Sequence, residues 1–242
     1  MQSIMAIFCC LMINTMAVAG EFDRDTLVTA HGDLIITFIG HGTLMFTYNN
    51  LVIHVDPVGR YADYSQMPDA DIILVTHHHG DHFDPAAIEL LKKPDTKLIL
   101  TQTCFDTEKY GTVLKNGEET TIKGIDIKAV PAYNLVHKRK DGEPFHPKGD
   151  GNGYVLNFSG FRVYIAGDTE NIPEMKAIRG VDCAFLPMNL PYTMTPEMVA
   201  DAVDLLKPKI LYPYHFGDTD TGKLLNLLKD QNKTEIRIRN MQ

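Results

Sequence analysis

The stretch Thr76-His77-His78-His79-Gly80-Asp81-His82 places four histidines and one aspartate within seven residues. The apolar run Ile72–Val75 before it is typical of a buried strand, and Asp84-Pro85 after it is typical of the start of a helix. An extended backbone would put alternate side chains on the same face, and the glycine would permit a sharp turn. We therefore expect metal-binding side chains from both sides of the turn to face one cavity.

Two ordinary explanations of such a histidine cluster are a loose surface tract and an expression tag. The preceding strand and the aspartate inside the cluster argue against both. Imidazole and carboxylate together favour zinc, with manganese or iron as alternatives. The sequence therefore predicts a metal centre at the end of a strand.

The composition is that of a globular protein rather than a fibrous, disulfide-rich or disordered chain. The 242 residues include 44% hydrophobic and 22% charged side chains, with a formal net charge of −8. Because an acidic chain repels a phosphate backbone, a nucleic-acid partner is disfavoured. A small-molecule substrate is the expected partner, and the oligomeric state is left open.

The N-terminal segment differs from the rest of the chain. Residues 1–20 contain no Asp, Glu, Lys or Arg, and the apolar run ends in Ala17-Val18-Ala19, a small-x-small pattern. This pattern predicts a signal peptide over residues 1–19, a domain over residues 20–242, and a periplasmic or secreted location without a stable membrane span. An uncleaved N-terminal anchor is the alternative. Of the cysteines beyond this segment, Cys104 and Cys183 lie in strand-like apolar surroundings and are expected to be buried free thiols.

Alternating strand and helix patterns over the remaining chain predict an α/β sandwich with helices on the outside. The segment Leu135–Gly153 is rich in Gly, Pro and charge and reads as a long functional loop. Expected strands are Asp33–Ile39, Thr43–Tyr48, Leu51–Val55, Ile72–Thr76, Lys97–Thr101, Thr121–Val130, Gly153–Phe158, Phe161–Ala166, Lys209–Tyr212 and Glu235–Ile238, and expected helices are Asp84–Leu91, Pro196–Leu206 and Gly222–Lys229.

The motif His77-x-His79-x-Asp81-His82 resembles the signature of the metallo-β-lactamase superfamily. Later landmarks recur in order after predicted strands: Asp56-Pro57, Gly167-Asp168-Thr169 and Tyr214-His215. Gly40-His41-Gly42-Thr43 is similar to a smaller branch that includes ascorbate-6-phosphate lactonase and the phospholipase D acting on N-acyl-phosphatidylethanolamines. The resemblance implies an αβ/βα four-layer sandwich with the site at one edge between its halves.

The resemblance also implies a ligand set for two divalent metal ions, with zinc expected and Mn²⁺ or Fe²⁺ possible. His77 and His79 would serve the first ion, Asp81, His82 and His215 would serve the second, and Asp168 would bridge them. The superfamily normally supplies a further histidine after the strand that here ends near Val130, where this chain has none. His146 is our choice for that ligand; His137, or Asn134 or water, are the alternatives.

Two residues near the predicted centre have roles that the sequence leaves open or assigns to support. His41 could contact substrate or orient a ligand. Asp56 is expected to accept the second N–H of a ligand imidazole.

By the same resemblance, the protein would be a hydrolase in which a metal-bound hydroxide cleaves an ester, lactone or phosphodiester bond, with Asp81 handling the proton. A non-catalytic metal-binding or sensing domain on the same fold is the alternative. A diiron oxidoreductase, an RNA-processing nuclease and a true β-lactamase are less well supported. Basic side chains in Leu135–Gly153 favour an anionic substrate, and an apolar wall could come from Met188, Tyr192 and Met194; the basic side chains are Lys138, Arg139, Lys140 and Lys148.

Overall fold

Two seven-stranded sheets form the part of the chain that the computed structural model describes, residues 22–241. The predicted signal peptide, residues 1–19, lies outside the described residues, so export stays a prediction. The strands are β1 (Asp23–Thr29), β2 (Gly32–Gly40), β3 (Thr43–Tyr48), β4 (Leu51–Val55), β5 (Ile72–Leu74), β6 (Lys97–Leu100), β7 (Thr112–Val113), β8 (Glu119–Ile122), β9 (Ile125–Ala132), β10 (Gly151–Phe158), β11 (Phe161–Ile165), β12 (Cys183–Pro187), β13 (Ile210–Tyr214) and β14 (Glu235–Ile236). The α-helices are α1 (Pro85–Leu91), α2 (Gln102–Glu108), α3 (Pro196–Leu206) and α4 (Thr221–Leu227), and short 3₁₀ turns lie at Tyr64–Gln66 and Pro173–Ala177.

Both sheets follow the same plan. The first sheet contains β1 to β7 in chain order, and the second contains β8 to β14 in chain order. In each sheet the first four strands pair antiparallel and the following strands pair parallel. Since parallel strands need crossover connections, the helices fall between the later strands of each half.

The two sheets pack face to face with helices on the outside. The core joins aromatic side chains of both sheets, with ring centroids 6.2 Å apart for Phe38 and Phe185 and 6.3 Å apart for Phe46 and Phe158. A separate apolar cluster lies under α1 and α2, while α3 and α4 pack on the main core. The predicted αβ/βα sandwich is confirmed.

Local sequence explains where several elements begin. The Asp84 carboxylate accepts hydrogen bonds from the backbone N–H groups of Ala86 and Ala87, and Pro85 occupies the first turn of α1. Thr195 caps α3 through the N–H of Met198. The turn between β3 and β4 is Asn49-Asn50, with φ values of 48° and 66°, as the left-handed residues of a tight hairpin require.

Several sequence-based expectations are wrong in detail. The single strand expected over Thr121–Val130 is a hairpin, because Lys123 and Gly124 adopt φ values of 50° and 85° and reverse the chain between β8 and β9. Gly80 does not adopt the left-handed backbone that favours glycine, so its turn needs no special freedom.

Other elements were absent from the sequence-based expectation. It included neither β1 nor β12, and it did not include α2. The strand-like surroundings expected for Cys104 are therefore wrong, because Cys104 lies in α2.

The two cysteines of the described region, Cys104 and Cys183, are free and buried, as expected. Burial raises the pKa of the Cys104 thiol to about 11, which keeps it protonated at neutral pH. Within residues 22–241, no helix has the length and apolar character needed to cross a membrane.

Candidate metal centre

The site lies at one edge of the sandwich, where segments that follow strands of both sheets meet. The motif Thr76–His82 follows β5 of the first sheet, Asp168 follows β11 of the second, and His215 follows β13. Three overlapping groups of these side chains have potential ligand atoms within 4.8 Å of one another. The groups are His77, His79 and His146; His41, Asp81, His82 and His215; and His77, His82 and Asp168.

The first group is made of three imidazoles. His77 Nε2 lies 3.2 Å from His79 Nδ1, and the ring centroids of His79 and His146 are 4.9 Å apart. His77 Nδ1 donates to the Thr76 hydroxyl at 3.0 Å, which leaves His77 Nε2 facing the other ligand atoms. His78 points elsewhere and is exposed, as the alternation of an extended segment predicts.

The second group contains the carboxylate of Asp81 and three imidazoles. Asp81 Oδ2 lies 3.1 Å from His41 Nε2 and 3.6 Å from His215 Nε2. The rings of His82 and His215 stack with centroids 4.9 Å apart. His41, whose role the sequence left open, therefore belongs to the same cluster and contacts the carboxylate directly.

Asp168 lies between the two groups. Its Oδ2 is 3.2 Å from His146 Nε2 and 3.5 Å from His215 Nε2, and its Oδ1 is 3.3 Å from His82 Nε2. One carboxylate thus reaches imidazoles of both groups, which is the arrangement expected of a bridging ligand.

Several buried polar atoms of this cluster have no hydrogen-bond partner among the described residues. They are His82 Nε2, Asp168 Oδ1 and both ring nitrogens of His215. A buried polar group without a partner costs about 1–3 kcal/mol, so such atoms rarely gather in one place without a ligand. Imidazole nitrogens and carboxylate oxygens are also the donors that zinc and similar divalent ions prefer. The residues present therefore fit a divalent metal.

A buried carboxylate orients His82. Asp56 accepts from His82 Nδ1 at 2.7 Å, from the Thr76 hydroxyl at 2.6 Å and from the Thr76 N–H at 2.7 Å. Because Nδ1 bonds to Asp56, Nε2 is the nitrogen that points toward Asp168. Asp56 thus has the geometry of the supporting carboxylate that the sequence predicted.

The segment Gly40–Thr43 packs against the imidazole of His82. A Cβ atom at Gly42 would lie 2.5 Å from His82 Cε1, so only glycine fits there without displacing the ring. His41 has a φ of 53°, its N–H donates to the Met241 carbonyl at 2.6 Å, and its carbonyl accepts from the His215 N–H at 2.9 Å. These backbone bonds tie the turn to the C-terminal segment and to β13.

His146 enters the cluster from the long loop, and Asn134 holds it there. Asn134 Oδ1 accepts from His146 Nδ1 at 2.7 Å and from the His146 N–H at 2.8 Å, which leaves His146 Nε2 facing Asp168. His137, the other histidine considered, instead places Nδ1 2.7 Å from Glu170 Oε1. The structure brings His146 into the cluster, and Asn134 supports it rather than replacing it.

Sequence reasoning missed Glu170. Its buried carboxylate accepts from the N–H groups of Leu135, Val136 and His137 at 2.6–2.7 Å, and from Asn134 Nδ2 at 3.1 Å. Burial alone would raise the pKa of Glu170, but these hydrogen bonds outweigh it and lower the pKa. The carboxylate therefore stays ionised and anchors the start of the loop that carries His146. Its position two residues after Asp168 is the one hint in the sequence.

The side chains of the cluster differ in protonation, which bears on how they would bind a cation. Burial and the nearby His146 lower the pKa of His79 to about 4. Burial opposes a charge on His82, but the carboxylates of Asp168 and Asp56 outweigh it and raise its pKa to about 9. Burial would raise the pKa of Asp81, yet His215 and His41 hold it well below its usual range. Because a ligand imidazole must be unprotonated, a bound cation would displace the proton of His82.

An open cavity of ≈ 430 Å³ lies over the cluster. Besides the metal-site residues, Arg139, Phe145, Asn189 and Tyr192 line it. Lys148 does not contribute, because its ammonium pairs with Glu174 at 2.6 Å. The expected apolar wall is supplied by Tyr192 alone of the three residues considered. Met188 and Met194 are buried in the main core.

Comparisons with known proteins agree with this fold and with a metal-dependent hydrolase. The model of the beta-lactamase superfamily domain matches residues 35–215. A UPF0173 metal-dependent hydrolase of Thermococcus kodakarensis is 32% identical over an alignment of 198 residues, and the match covers 75% of this chain and 84% of the relative. A UPF0173 metal-dependent hydrolase of Pyrococcus abyssi is 30% identical over an alignment of 223 residues, and the match covers 83% of this chain and 95% of the relative.

Solved structures give the same result. A protein of Parabacteroides distasonis assigned as a metal-dependent hydrolase is 51% identical, with a TM-score of 0.88 over 92% of this chain and 100% of that chain. Igni18, a metallo hydrolase of Ignicoccus hospitalis, shares the fold at 24% identity, with a TM-score of 0.71 over 86% of this chain and 95% of that chain.

Fold and site together define a metal-dependent hydrolase of the metallo-β-lactamase class. Within that class, the chain belongs to the UPF0173 metal-dependent hydrolases of the beta-lactamase superfamily. The expected superfamily membership and hydrolase class are confirmed. The closer likeness to ascorbate-6-phosphate lactonase stays a prediction.

Proposed function

We propose that this hydrolase holds two divalent ions, with zinc as the expected metal, and cleaves an ester, lactone or phosphodiester bond of a small molecule. The observation that carries the proposal is Asp168, a buried carboxylate within reach of imidazoles on both sides. A single ion would leave one of the two groups of ligand atoms without a cation. Two ions that share Asp168 would satisfy both.

The residues divide into two ligand sets. His77, His79 and His146 would hold the first ion, and Asp81, His82 and His215 would hold the second. When bound, such ions act as Lewis acids that lower the pKa of water and polarise the oxygen of the bond to be cleaved.

Asp81 is the candidate for proton handling. Its side chain is 35% exposed and lines the open cavity, whereas Asp168 is 4% exposed. We propose that the Asp81 carboxylate accepts the proton of the attacking water and passes it to the leaving group. His41 Nε2 lies 3.1 Å from Asp81 Oδ2 and would keep that carboxylate in place during the transfer.

Metal analysis and a hydrolysis panel on the same purified protein test the proposal. We expect about two metal equivalents per chain, and turnover with at least one ester, lactone or phosphodiester. His79→Ala and Asp168→Ala should lose metal and turnover together. The matched control is His78→Ala, which removes an exposed imidazole from the same motif and should leave both unchanged.

Each alternative predicts a different result. Full metal content with no turnover on any bond class would favour a non-catalytic metal-binding or sensing domain. Unchanged turnover in Asp168→Ala would show that the bridging assignment is wrong.

A further inference from the structure

The loop that carries His146 forms a small hairpin over the cavity. Lys138 and Pro144 form an isolated antiparallel bridge, and the Arg139 N–H donates to the Glu143 carbonyl at 2.7 Å. The Gly142 N–H donates to the Arg139 carbonyl at 3.0 Å and closes the turn. The hairpin therefore holds Arg139 and the following residues at the rim of the cavity in a defined place.

Arg139 is the basic side chain of this loop that reaches the cavity. Its Cζ lies 5.3 Å from the centroid of the Phe145 ring, and Nη2 donates to the Phe145 carbonyl at 3.3 Å. The Phe145 ring meets Tyr192 edge-on, with centroids 5.0 Å apart. Asn134 Nδ2 in turn donates to the Tyr192 carbonyl at 2.9 Å, which connects this wall to the support of His146.

The cavity wall carries acids at the metal centre and a cation outside it. Among the described lining residues, the acids are Asp81 and Asp168, both assigned above to the metal centre, and Arg139 is the cation outside it. Bound divalent ions would offset those two carboxylates, so the cavity would then carry a net positive charge. A guanidinium held over an aromatic ring keeps its outer N–H donors in a fixed fork, which suits the oxygens of a carboxylate or phosphate.

We propose that the substrate carries an anionic group, a carboxylate or phosphate, next to an apolar or planar portion. Arg139 binds the anion, Phe145 and Tyr192 pack against the apolar portion, and the metal centre acts on the adjacent bond. The proposal rests on the proposed hydrolytic function and names the substrate class of that same site.

Two matched esters test the inference by kinetics. Mono-para-nitrophenyl glutarate carries a carboxylate, and para-nitrophenyl pentanoate is a neutral ester of similar length. We expect Arg139→Gln to lower the ratio of kcat/KM for the anionic ester to that for the neutral ester about tenfold, or about 1.4 kcal/mol, with most of the change in KM. Lys140→Gln removes an exposed charge from the same hairpin and should leave the ratio unchanged.

Measurements of ligand binding test the inference independently of turnover. The affinities of benzoate, phenylphosphonate and neutral benzamide are measured by calorimetry on metal-loaded wild type, Arg139→Gln and Lys140→Gln proteins. A drop of about tenfold in the preference for an anion over benzamide, confined to Arg139→Gln, supports the inference. Whichever anion is affected more identifies carboxylate or phosphate as the group bound.

The outcomes separate this inference from the proposed function. If wild type hydrolyses neither ester but Arg139→Gln loses anion preference, the substrate-class inference holds while hydrolysis of such esters does not. If the anion preference is the same in Arg139→Gln and Lys140→Gln, the inference is wrong, whatever the turnover.

Discussion

At the scale of single residues, the site depends on which nitrogen of each imidazole is free. Thr76 accepts from His77 Nδ1, Asp56 accepts from His82 Nδ1, and Asn134 accepts from His146 Nδ1. Each of these hydrogen bonds leaves Nε2 facing the other ligand atoms of the cluster. Since a neutral imidazole has a single lone pair available for a metal, these supports determine where the ligand atoms lie.

Gly42→Ala is expected to disturb His82 and with it the binding of the proposed second metal ion. The added Cβ would lie 2.5 Å from His82 Cε1, and His82 is fully buried and hydrogen-bonded to Asp56. We expect metal affinity to fall about 10- to 100-fold, as for loss of other supporting contacts. Metal titration against a competing chelator measures this directly.

Gly80→Ala is the matched control for that change. A Cβ at Gly80 meets no atom within 4 Å, and its backbone lies outside the left-handed region. Metal affinity should therefore be retained. Equal affinities in the two alanine variants would contradict the close-packing explanation of Gly42.

At the scale of elements, the loop between β9 and β10 depends on one acid from the segment after β11. Glu170 is buried and holds three successive backbone N–H groups, those of Leu135, Val136 and His137. Through Asn134 it also supports His146. The loop that brings His146 into the cluster is therefore anchored by the segment that follows β11.

Glu170→Gln should loosen this loop. An amide would turn at least one N–H toward backbone donors and leave buried groups without partners, at a cost of about 1–3 kcal/mol each. We expect weaker metal binding at the proposed first site and a lower free energy of unfolding, measured by metal titration and urea unfolding. Glu174→Gln neutralises an acid that pairs with Lys148 near the loop and should leave metal affinity unchanged. Equal effects of the two substitutions would contradict the anchoring role.

Sequence patterns predicted the local features well and the long-range ones poorly. The motif after β5 and the caps at Asp84 and Thr195 depend on neighbours a few residues apart, so they could be read from the chain. Asp168 and His215 could be placed because each follows a predicted strand at the point where the resemblance to the metallo-β-lactamase superfamily implies a ligand.

Features whose partners lie far along the chain were missed. Glu170 was missed because its partners are backbone groups 33–35 residues away, which carry no sequence signature. The β1 edge strand, Asp23–Thr29, pairs with the next strand in the chain and was missed for a different reason, because it lacks a clear apolar alternation.

At the scale of the whole molecule, the two sheets contribute to the site through equivalent connections. His41 lies between β2 and β3 of the first sheet, and His146 lies between β9 and β10, the corresponding strands of the second. Likewise Asp56 follows β4 and Asp168 follows β11. Each proposed ion would thus have ligands from both halves, so that bound metal would hold the halves together.

Removal of metal is therefore expected to lower the melting temperature. A ligand at a thousand times its Kd stabilises the folded state by about 4 kcal/mol, which corresponds to a shift on the order of 10 °C for a chain of this size. Scanning calorimetry with and without a chelator measures the shift. Asp168→Ala should show little chelator dependence. An unchanged melting temperature in wild type would contradict a metal that joins the halves.

At the end of β5 opposite the metal centre, an aspartate forms ion pairs that connect the two sheets. Asp71 precedes β5 and accepts from the Val52 N–H at 2.9 Å, and its carboxylate lies 2.9 Å from Lys93 Nζ and 2.7 Å from Lys123 Nζ. Lys123 belongs to the β8–β9 turn of the second sheet. Burial would raise the pKa of Asp71, but these partners outweigh it and lower the pKa to about 2, from 3.8 in the unfolded chain.

This shift predicts how stability changes with pH. A lowered carboxyl pKa stabilises the fold fully above the unfolded value, and the contribution is lost as pH falls through the folded value. We expect Asp71→Asn to lower the free energy of unfolding by about 1–2 kcal/mol at pH 6, allowing for solvent around the two lysines. At pH 3 the loss should be about half as large. Urea unfolding of chelator-treated protein measures the difference without interference from metal release. Asp95→Asn, which removes only the exposed partner of Lys123, should have a smaller effect. A cost for Asp71→Asn that is the same at both pH values would mean that the carboxylate charge does not join the two sheets.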